Sequence, residues 1–354
     1  MAKDIGIDLG TANVLIHLKG RGVILNEPAL VAFDKDSHQV IEYGKMAYEM
    51  IGRTGPNVEI IRPLRAGVID DFDLTEAMLV LFFDQIHSRH WLSKPNVLIC
   101  APSQISEIEQ HSLIEAIERV GGGYIYIEEE AKVAAVGAGL DILSPKGSMI
   151  IDIGGGTTDI AVISSGEIIA SRSLKVAGDN FDESIIQYFK QDKHLLIGER
   201  TAEEVKKEIA SATLLADNLL DNFDLSGRDL VSGLPKSINV TSNDIFQAIK
   251  QSLLVIGRAC KEIVEDLSPD IAADIKEQGV MLTGGGALIY NIDTYLSEYL
   301  KMSVIRADQP MQCVAIGTGL MLDMIQDGRF EKKKISWQQR LRRMLHHLRR
   351  RLFG

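Results

Sequence analysis

Met149-Ile150-Ile151-Asp152-Ile153-Gly154-Gly155-Gly156-Thr157-Thr158-Asp159-Ile160-Ala161-Val162-Ile163 is the stretch that decides the fold. An apolar run over residues 149–153 carries an aspartate near its end, three glycines follow, and a second apolar run covers residues 160–164. Short β-branched runs around a Gly-rich turn read as strand, turn and strand. Near the start of the chain, residues 5–9 and 14–18 repeat the arrangement around Gly10-Thr11-Ala12-Asn13. Asp8-Leu9-Gly10-Thr11 is thus echoed by Asp152-Ile153-Gly154-Gly155. Farther along each half, Ala135-Val136-Gly137-Ala138-Gly139-Leu140 is echoed by Ala315-Ile316-Gly317-Thr318-Gly319-Leu320. Chance similarity of glycine-rich turns does not readily yield two echoes in the same order. The pattern predicts two related domains facing each other across a cleft.

Residues 97–101 read as a further buried strand, followed by a helix over about 106–120. Ser106 and Glu109 supply its capping box and Gly121 its stop. Thr201 and Glu204 predict a second capping box, opening a helix that runs to about residue 212. Strands alternating with helices place the chain in the α/β class. Its 354 residues can bury one large core or two ordinary ones. The 45% hydrophobic and 25% charged fractions are those of a globular protein rather than a disordered one. Cys100, Cys260 and Cys313 are odd in number, far apart and without metal-ligand spacing, which predicts reduced, buried thiols. Asp4 and Asp8 interrupt the early apolar run, so no signal peptide is expected. No apolar stretch approaches the ~18 residues that a membrane span requires.

The net charge of −11 hides an asymmetry. Lys332 to Gly354 holds nine Lys or Arg and no acid, which leaves 29 bases against 49 acids in the rest of the chain. An acidic body of that kind repels phosphate backbones, so no nucleic acid is expected on it.

The two turns carry the chemistry. Gly10 to Asn13 and Gly154 to Thr158 are tight loops whose successive N–H groups can cradle phosphate. Asp8 and Asp152 before them suit Mg²⁺, which keeps its waters and is held through one or two carboxylates plus nucleotide phosphates. Turn capping is the alternative use of an aspartate there. Thr283-Gly284-Gly285-Gly286-Ala287 is a third small-residue turn, against which a flat base and sugar can lie. Glu203 and Lys206, three apart on one helix face, could contact ribose and adenine or simply form a solvated ion pair. Neither G-x-x-x-x-G-K-[ST] nor G-x-G-x-x-G between strand and helix occurs, which excludes the P-loop and Rossmann folds.

Asp8-Leu9-Gly10-Thr11-Ala12-Asn13, Asn26-Glu27-Pro28, Ile51-Gly52-Arg53-Thr54, Ile61-Arg62-Pro63-Leu64 and Gly67-Val68-Ile69-Asp70-Asp71-Phe72 together resemble the MreB/Mbl family of bacterial actins. Residues 151–163, Ser232-Gly233-Leu234-Pro235 and residues 282–288 continue the likeness, which covers about 4–325. Asn13-Val14-Leu15-Ile16-His17 and Glu128-Glu129-Glu130 followed by Lys132 are more similar to the Mbl branch of Gram-positive bacteria. The resemblance implies an actin-like ATPase fold: duplicated ribonuclease H-like domains facing a nucleotide cleft that holds ATP and Mg²⁺. It implies a body over 1–328, with halves at about 1–140 and 141–310 and a closing helix at about 311–327; the tail over 329–354 lies outside the likeness. It further implies slow ATP hydrolysis tied to self-assembly in paired protofilaments, a cytoplasmic place on the inner membrane face, and work with the cell-wall elongation machinery. Glu130 matches the family's catalytic glutamate and Thr157 the threonine that helps hold the attacking water. Ala131 departs from the proline usual after that glutamate. An FtsA-like division tether, and a scaffold that binds ATP without turnover, are the competing readings. An Hsp70-like chaperone would need a long substrate domain after the ATPase, and a sugar kinase would match only in the phosphate turns.

Two segments look membrane-directed. Trp91 and Leu92, flanked by Arg89 and Lys94, match a lipid-inserting loop of the family, unless the pair folds onto the core. In the tail, Trp337, Leu341, Met344, Leu345, Leu348 and Leu352 recur at helical spacing, with Arg342, Arg343 and Arg349 to Arg351 mainly off that face. A basic amphipathic helix of this composition suits an anionic membrane surface. A nucleic-acid arm or a partner-docking helix has similar composition.

Overall fold

Two five-stranded sheets built on one plan organise the molecule. The computed structural model describes residues 4–65, 67–86, 95–101 and 106–330. In the first half, β1 (Ile5–Leu9), β2 (Asn13–Leu18) and β3 (Gly22–Pro28) form an antiparallel meander. An insertion follows: β4 (Val31–Asp34), β5 (Gln39–Tyr43), α1 (Gly44–Glu49) and β6 (Val58–Ile61). The short pair β7 (Leu64–Arg65) and β8 (Val68–Ile69) leads into α2 (Phe72–Gln85), β9 (Val97–Ala101), α3 (Glu107–Arg119), β10 (Ile125–Glu129) and α4 (Glu130–Gly137). The second half repeats the meander with β11 (Ser148–Ile153), β12 (Thr158–Ser164) and β13 (Glu167–Leu174), then α5 (Gly178–Asp192). Its insertion holds β14 (Leu195–Leu196), α6 (Glu199–Ile209), β15 (Asn222–Asp229) and β16 (Pro235–Thr241). The remainder is α7 (Ser242–Glu265), α8 (Pro269–Gln278), β17 (Val280–Thr283), α9 (Ile292–Leu300), β18 (Val304–Arg306) and α10 (Cys313–Gln326).

Sheet order is β3-β2-β1-β9-β10 in the first half and β13-β12-β11-β17-β18 in the second. Each is a meander joined through its first strand to two parallel strands. The duplication legible in the turns is therefore a duplication of topology. The central strands are buried end to end, as the unbroken apolar runs require when helices cover both faces.

Each half has its own core. The first gathers Ile5, Ile7, Phe82, Phe83 and Ile117, and the second Ile151, Phe181, Phe189, Leu253 and Leu296. A third cluster, with Ala134, Ile150, Ala161 and Met321, lies under α4 and α10. Those two helices are the glycine-bearing echoes, and they cross backbone to backbone. A Cβ at Gly137 would stand 1.8 Å from the Cys313 carbonyl oxygen, and one at Gly317 2.0 Å from that of Val133. No side chain fits there, which is the physical reason both helices carry glycine at the crossing.

The helix after Ser106 begins as expected: Ser106 N–H donates to Glu109 at 2.7 Å, and Glu109 N–H donates to the Ser106 hydroxyl at 3.3 Å. The box expected at Thr201 does not form. α6 starts at Glu199, with Gly198 rather than Thr201 as its N-cap, and ends at Ile209, and Glu204 is held by Arg200 at 2.9 Å. An i,i+4 pair inside the helix has taken the side chain that the cap needed. All three cysteines are free and buried. Among the described residues no helix is long and apolar enough to cross a membrane.

Candidate functional site

Asp8 sits on β1 and Asp152 on β11, the equivalent strands of the two sheets, and both are buried. The turns behind them touch. A Cβ at Gly155 would stand 2.5 Å from the Ala12 methyl, and one at Gly156 2.7 Å from the Thr11 hydroxyl oxygen. The first turn is braced by Gly67 N–H on the Thr11 hydroxyl (2.9 Å), by Ala29 N–H on the Ala12 carbonyl (2.8 Å), and by Asn13 on Asn26 (2.8 Å). In the second, Gly154 N–H donates to the Thr157 carbonyl at 2.9 Å, and Gly178 and Asp179 donate to the carbonyls of Gly154 and Gly155 at 3.1 and 2.8 Å. Carbonyls are thus taken up by the protein. The N–H groups of Thr11, Ala12, Gly155 and Gly156 find no acceptor among the described residues. Backbone donors left over in a tight turn suit an anion.

Acids crowd this point. Burial pushes Asp8 up to about 7. Burial first, then repulsion from Asp159 and Asp8, pushes Asp152 up to about 8, with the Thr283 hydroxyl working the other way. Glu130 opens α4 directly after β10 and is partly exposed. Burial of its carboxyl, then repulsion from Asp159, Asp152 and Asp8, holds it well above the usual range. One oxygen of Asp152 and one of Asp159 have no hydrogen-bond partner. Among the described residues no group of three or more acidic, histidine or cysteine side chains could hold a metal on its own. A hydrated Mg²⁺ completed by phosphate oxygens needs only one or two carboxylates, and Asp8 and Asp152 fit that donor set.

The third turn closes on the same carboxylate. Gly284 has φ +84°, its N–H donates to the Pro310 carbonyl at 2.9 Å, and a Cβ there would stand 2.4 Å from Asp152 Oδ1. Gly286 and Ala287 are buried in the 3₁₀ turn Gly285–Leu288, whereas a Cβ at Gly285 would meet nothing within 4 Å.

Glu203 and Lys206 lie on α6 and have different partners. Glu203 accepts from the Tyr48 hydroxyl at 2.6 Å and pairs with Lys207 at 2.6 Å. Lys206 pairs with Asp182 at 2.6 Å and donates to the Gly178 carbonyl at 3.0 Å, bracing the start of α5 beside the second turn. Tyr48 and Asp182 carry no mark in the sequence, since each acts through contacts with distant residues. Asp159 stands inside the motif that decides the fold, but nothing in its local spacing separates it from an ordinary strand residue. Trp91, Leu92, Trp337, Leu341, Leu345, Leu348 and Leu352 lie outside the described residues.

Two sheets of matching topology, with their glycine turns in contact, define an actin-like protein. The sequence model of the MreB/Mbl protein family matches residues 2–329, and the chain belongs to that family. It is 51% identical over 335 residues to the cell shape-determining protein Mbl of Bacillus subtilis, covering 95% of this chain and 99% of that one. It is 42% identical to the cell shape-determining protein MreB of Escherichia coli, covering 92% and 94%. The crystal structure of MreB 5 of Spiroplasma citri bound to AMPPNP superposes with a TM-score of 0.88 at 39% identity, covering 93% of this chain and 98% of that one. The MamK double helical filament, with a TM-score of 0.76 at 20% identity over 91% and 98%, shares the fold.

Proposed function

We propose that this chain is an actin-like cytoskeletal ATPase that assembles into paired protofilaments on the inner face of the cell membrane and organises wall synthesis and cell shape. The mutual contact of two glycine turns, each behind a buried aspartate, carries this reading. Gly10, Thr11, Ala12 and Asn13 from one half and Gly154, Gly155 and Gly156 from the other would hold the phosphates through backbone N–H groups. Asp8 and Asp152 would hold Mg²⁺ through its waters, and the cation, when bound, neutralises phosphate charge. Gly284, Gly285, Gly286 and Ala287 would face the base and sugar, with Glu203 and Lys206 at their border. Glu130 would orient the attacking water and Thr157 would help hold it. The crystallisation of a 39% identical relative with AMPPNP and with ADP supports a nucleotide in this cleft. The names of the Mbl and MreB relatives support a role in cell shape.

The tail and the Trp91-Leu92 pair would bind the anionic leaflet together. Each Lys or Arg near such a surface is worth about 1 kcal/mol. A single short helix binds reversibly, so filaments, whose linked copies rebind at high effective concentration, should stick where monomers barely do. The test is electron microscopy and vesicle sedimentation of the full chain with Mg²⁺ and ATP, beside a chain ending at Gly328. ATP-dependent filaments that pellet with anionic vesicles only when the tail is present support the reading. Equal pelleting of both chains, or stronger retention on RNA than on vesicles, contradicts the membrane role. Absence of filaments contradicts the cytoskeletal one.

A further inference from the structure

Asp159, the second residue of β12, is 2% exposed and stands directly opposite Asp152 on one side and Ser173 on the other. Asp152 in turn lies opposite Thr283 on β17. Directly opposed residues put their side chains on one face of a sheet. Ser173, Asp159, Asp152 and Thr283 therefore make a polar row across four neighbouring strands. The first half lacks this row: Asp8 lies opposite Leu15, and Leu15 opposite Asn26. The duplicated plan supplies one acid per half, and the second half alone adds another.

That addition works against folding. Like charges directly opposed across a sheet are destabilising, and one oxygen of Asp159 is buried without a hydrogen-bond partner. Thr157 and Asp159 flank Thr158 at the start of β12, so the alternation of a strand puts them on one face, and Ser173 faces Asp159 from β13. Burial raises the Asp159 carboxyl, and the Ser173 and Thr157 hydroxyls work the other way. After burial, repulsion from Asp159 is the largest charge effect on the Glu130 carboxyl.

We propose that Asp159 is a positioning residue for the hydrolytic water, accepting the hydrogen bond of the Thr157 hydroxyl and so fixing which way that hydroxyl faces. The inference rests on the reading of this cleft as an ATPase site. A threonine hydroxyl has one O–H to donate and two lone pairs to offer. With its O–H committed to Asp159, Thr157 can only accept from the water. The water then donates one hydrogen to Thr157 and the other to Glu130, which leaves its own lone pair for the γ-phosphorus. In the transfer the water oxygen bonds to phosphorus, and the bond from phosphorus to the bridging oxygen breaks. That electron pair stays on ADP, and the surplus proton ends on the phosphate product. Asp159 itself touches none of the reacting atoms.

Phosphate release and calorimetric ATP affinity, both with Mg²⁺, test this on the full chain, Asp159→Ala, Asp159→Asn, Thr157→Val and the double variant Thr157→Val/Asp159→Ala. Asp159→Ala should lower kcat on the order of 10²-fold, the scale of a misplaced reactant, with KM and ATP affinity within about threefold of wild type. Its melting temperature should not fall, because an opposed charge is gone. Asp159→Asn keeps an acceptor oxygen and should recover to within about tenfold of wild type. The double variant should lose no more than the worse single one, since both remove the same hydrogen bond. Wild-type kcat in Asp159→Ala overturns the inference and leaves the ATPase reading standing. An Asp159→Ala chain that does not fold, additive losses in the double variant, or equal losses in Asn and Ala also overturn it. A wild-type chain that releases no phosphate overturns the ATPase reading and this inference with it.

Discussion

The Tyr48 hydroxyl donates to Glu203 at 2.6 Å and joins α1, in the insertion of the first half, to α6, in that of the second. Arg200 lies over the Tyr48 ring at 5.6 Å and strengthens the same contact. Burial works against the Glu203 charge, but hydrogen bonds from Lys207 and Tyr48 hold its carboxyl below the usual range. A hydrogen bond to a charged acceptor is worth about 1.5–3 kcal/mol. Tyr48→Phe keeps the ring and removes the bond, so release of a fluorescent ATP analogue should accelerate about tenfold in stopped flow, which corresponds to ~1.4 kcal/mol. An unchanged release rate would mean that the contact does not restrain the cleft.

Neighbouring glycines should respond differently to one methyl group. Gly284→Ala forces a positive φ on alanine and drives its Cβ to 2.4 Å from Asp152 Oδ1. It should lower stability by about 1–3 kcal/mol or more, visible as a fall in melting temperature without nucleotide. A Cβ at Gly285 meets nothing within 4 Å, so Gly285→Ala should melt like wild type. With a base lying against that turn, Gly285→Ala should still weaken ATP binding by about tenfold. Normal affinity in Gly285→Ala would remove this turn from the nucleotide site.

Stability should depend on pH in a direction set by the buried acids. Asp8 and Asp152 rise from 3.8 to about 7 and about 8, chiefly through burial. Between those values the folded state holds more protons than the unfolded one, so stability falls as pH rises. The melting temperature of the chain without Mg²⁺ and nucleotide should therefore decline from pH 5 to pH 8. Mg²⁺-ATP should stabilise more at pH 8 than at pH 6, because binding at the lower pH must first displace protons. A Mg²⁺-free melting temperature that rises over this range would contradict the placement of these carboxylates.

Much of the fold is legible in the sequence because its signals are local. A hairpin with glycine between two apolar runs announces itself within fifteen residues, and two such hairpins reveal the duplication. The capping box at Ser106 is equally local and forms as read. What escapes the sequence depends on distance or on competition. Tyr48 and Glu203 are 155 positions apart, and nothing in either neighbourhood marks the contact. The start of α6 is missed because Arg200 draws Glu204 away from the capping role. Asp159 is visible as a residue, yet its opposition to Asp152 emerges only from strand register.

Calorimetric titration of ATP, with and without Mg²⁺, into the full chain and into Asp152→Ala tests the central claim most directly. A cleft built as described binds one ATP per chain, binds it more tightly with Mg²⁺, and loses most of that Mg²⁺ dependence when one carboxylate of the pair is removed. Equal affinities for wild type and Asp152→Ala in the presence of Mg²⁺ would reduce Asp152 to a turn residue and contradict the account.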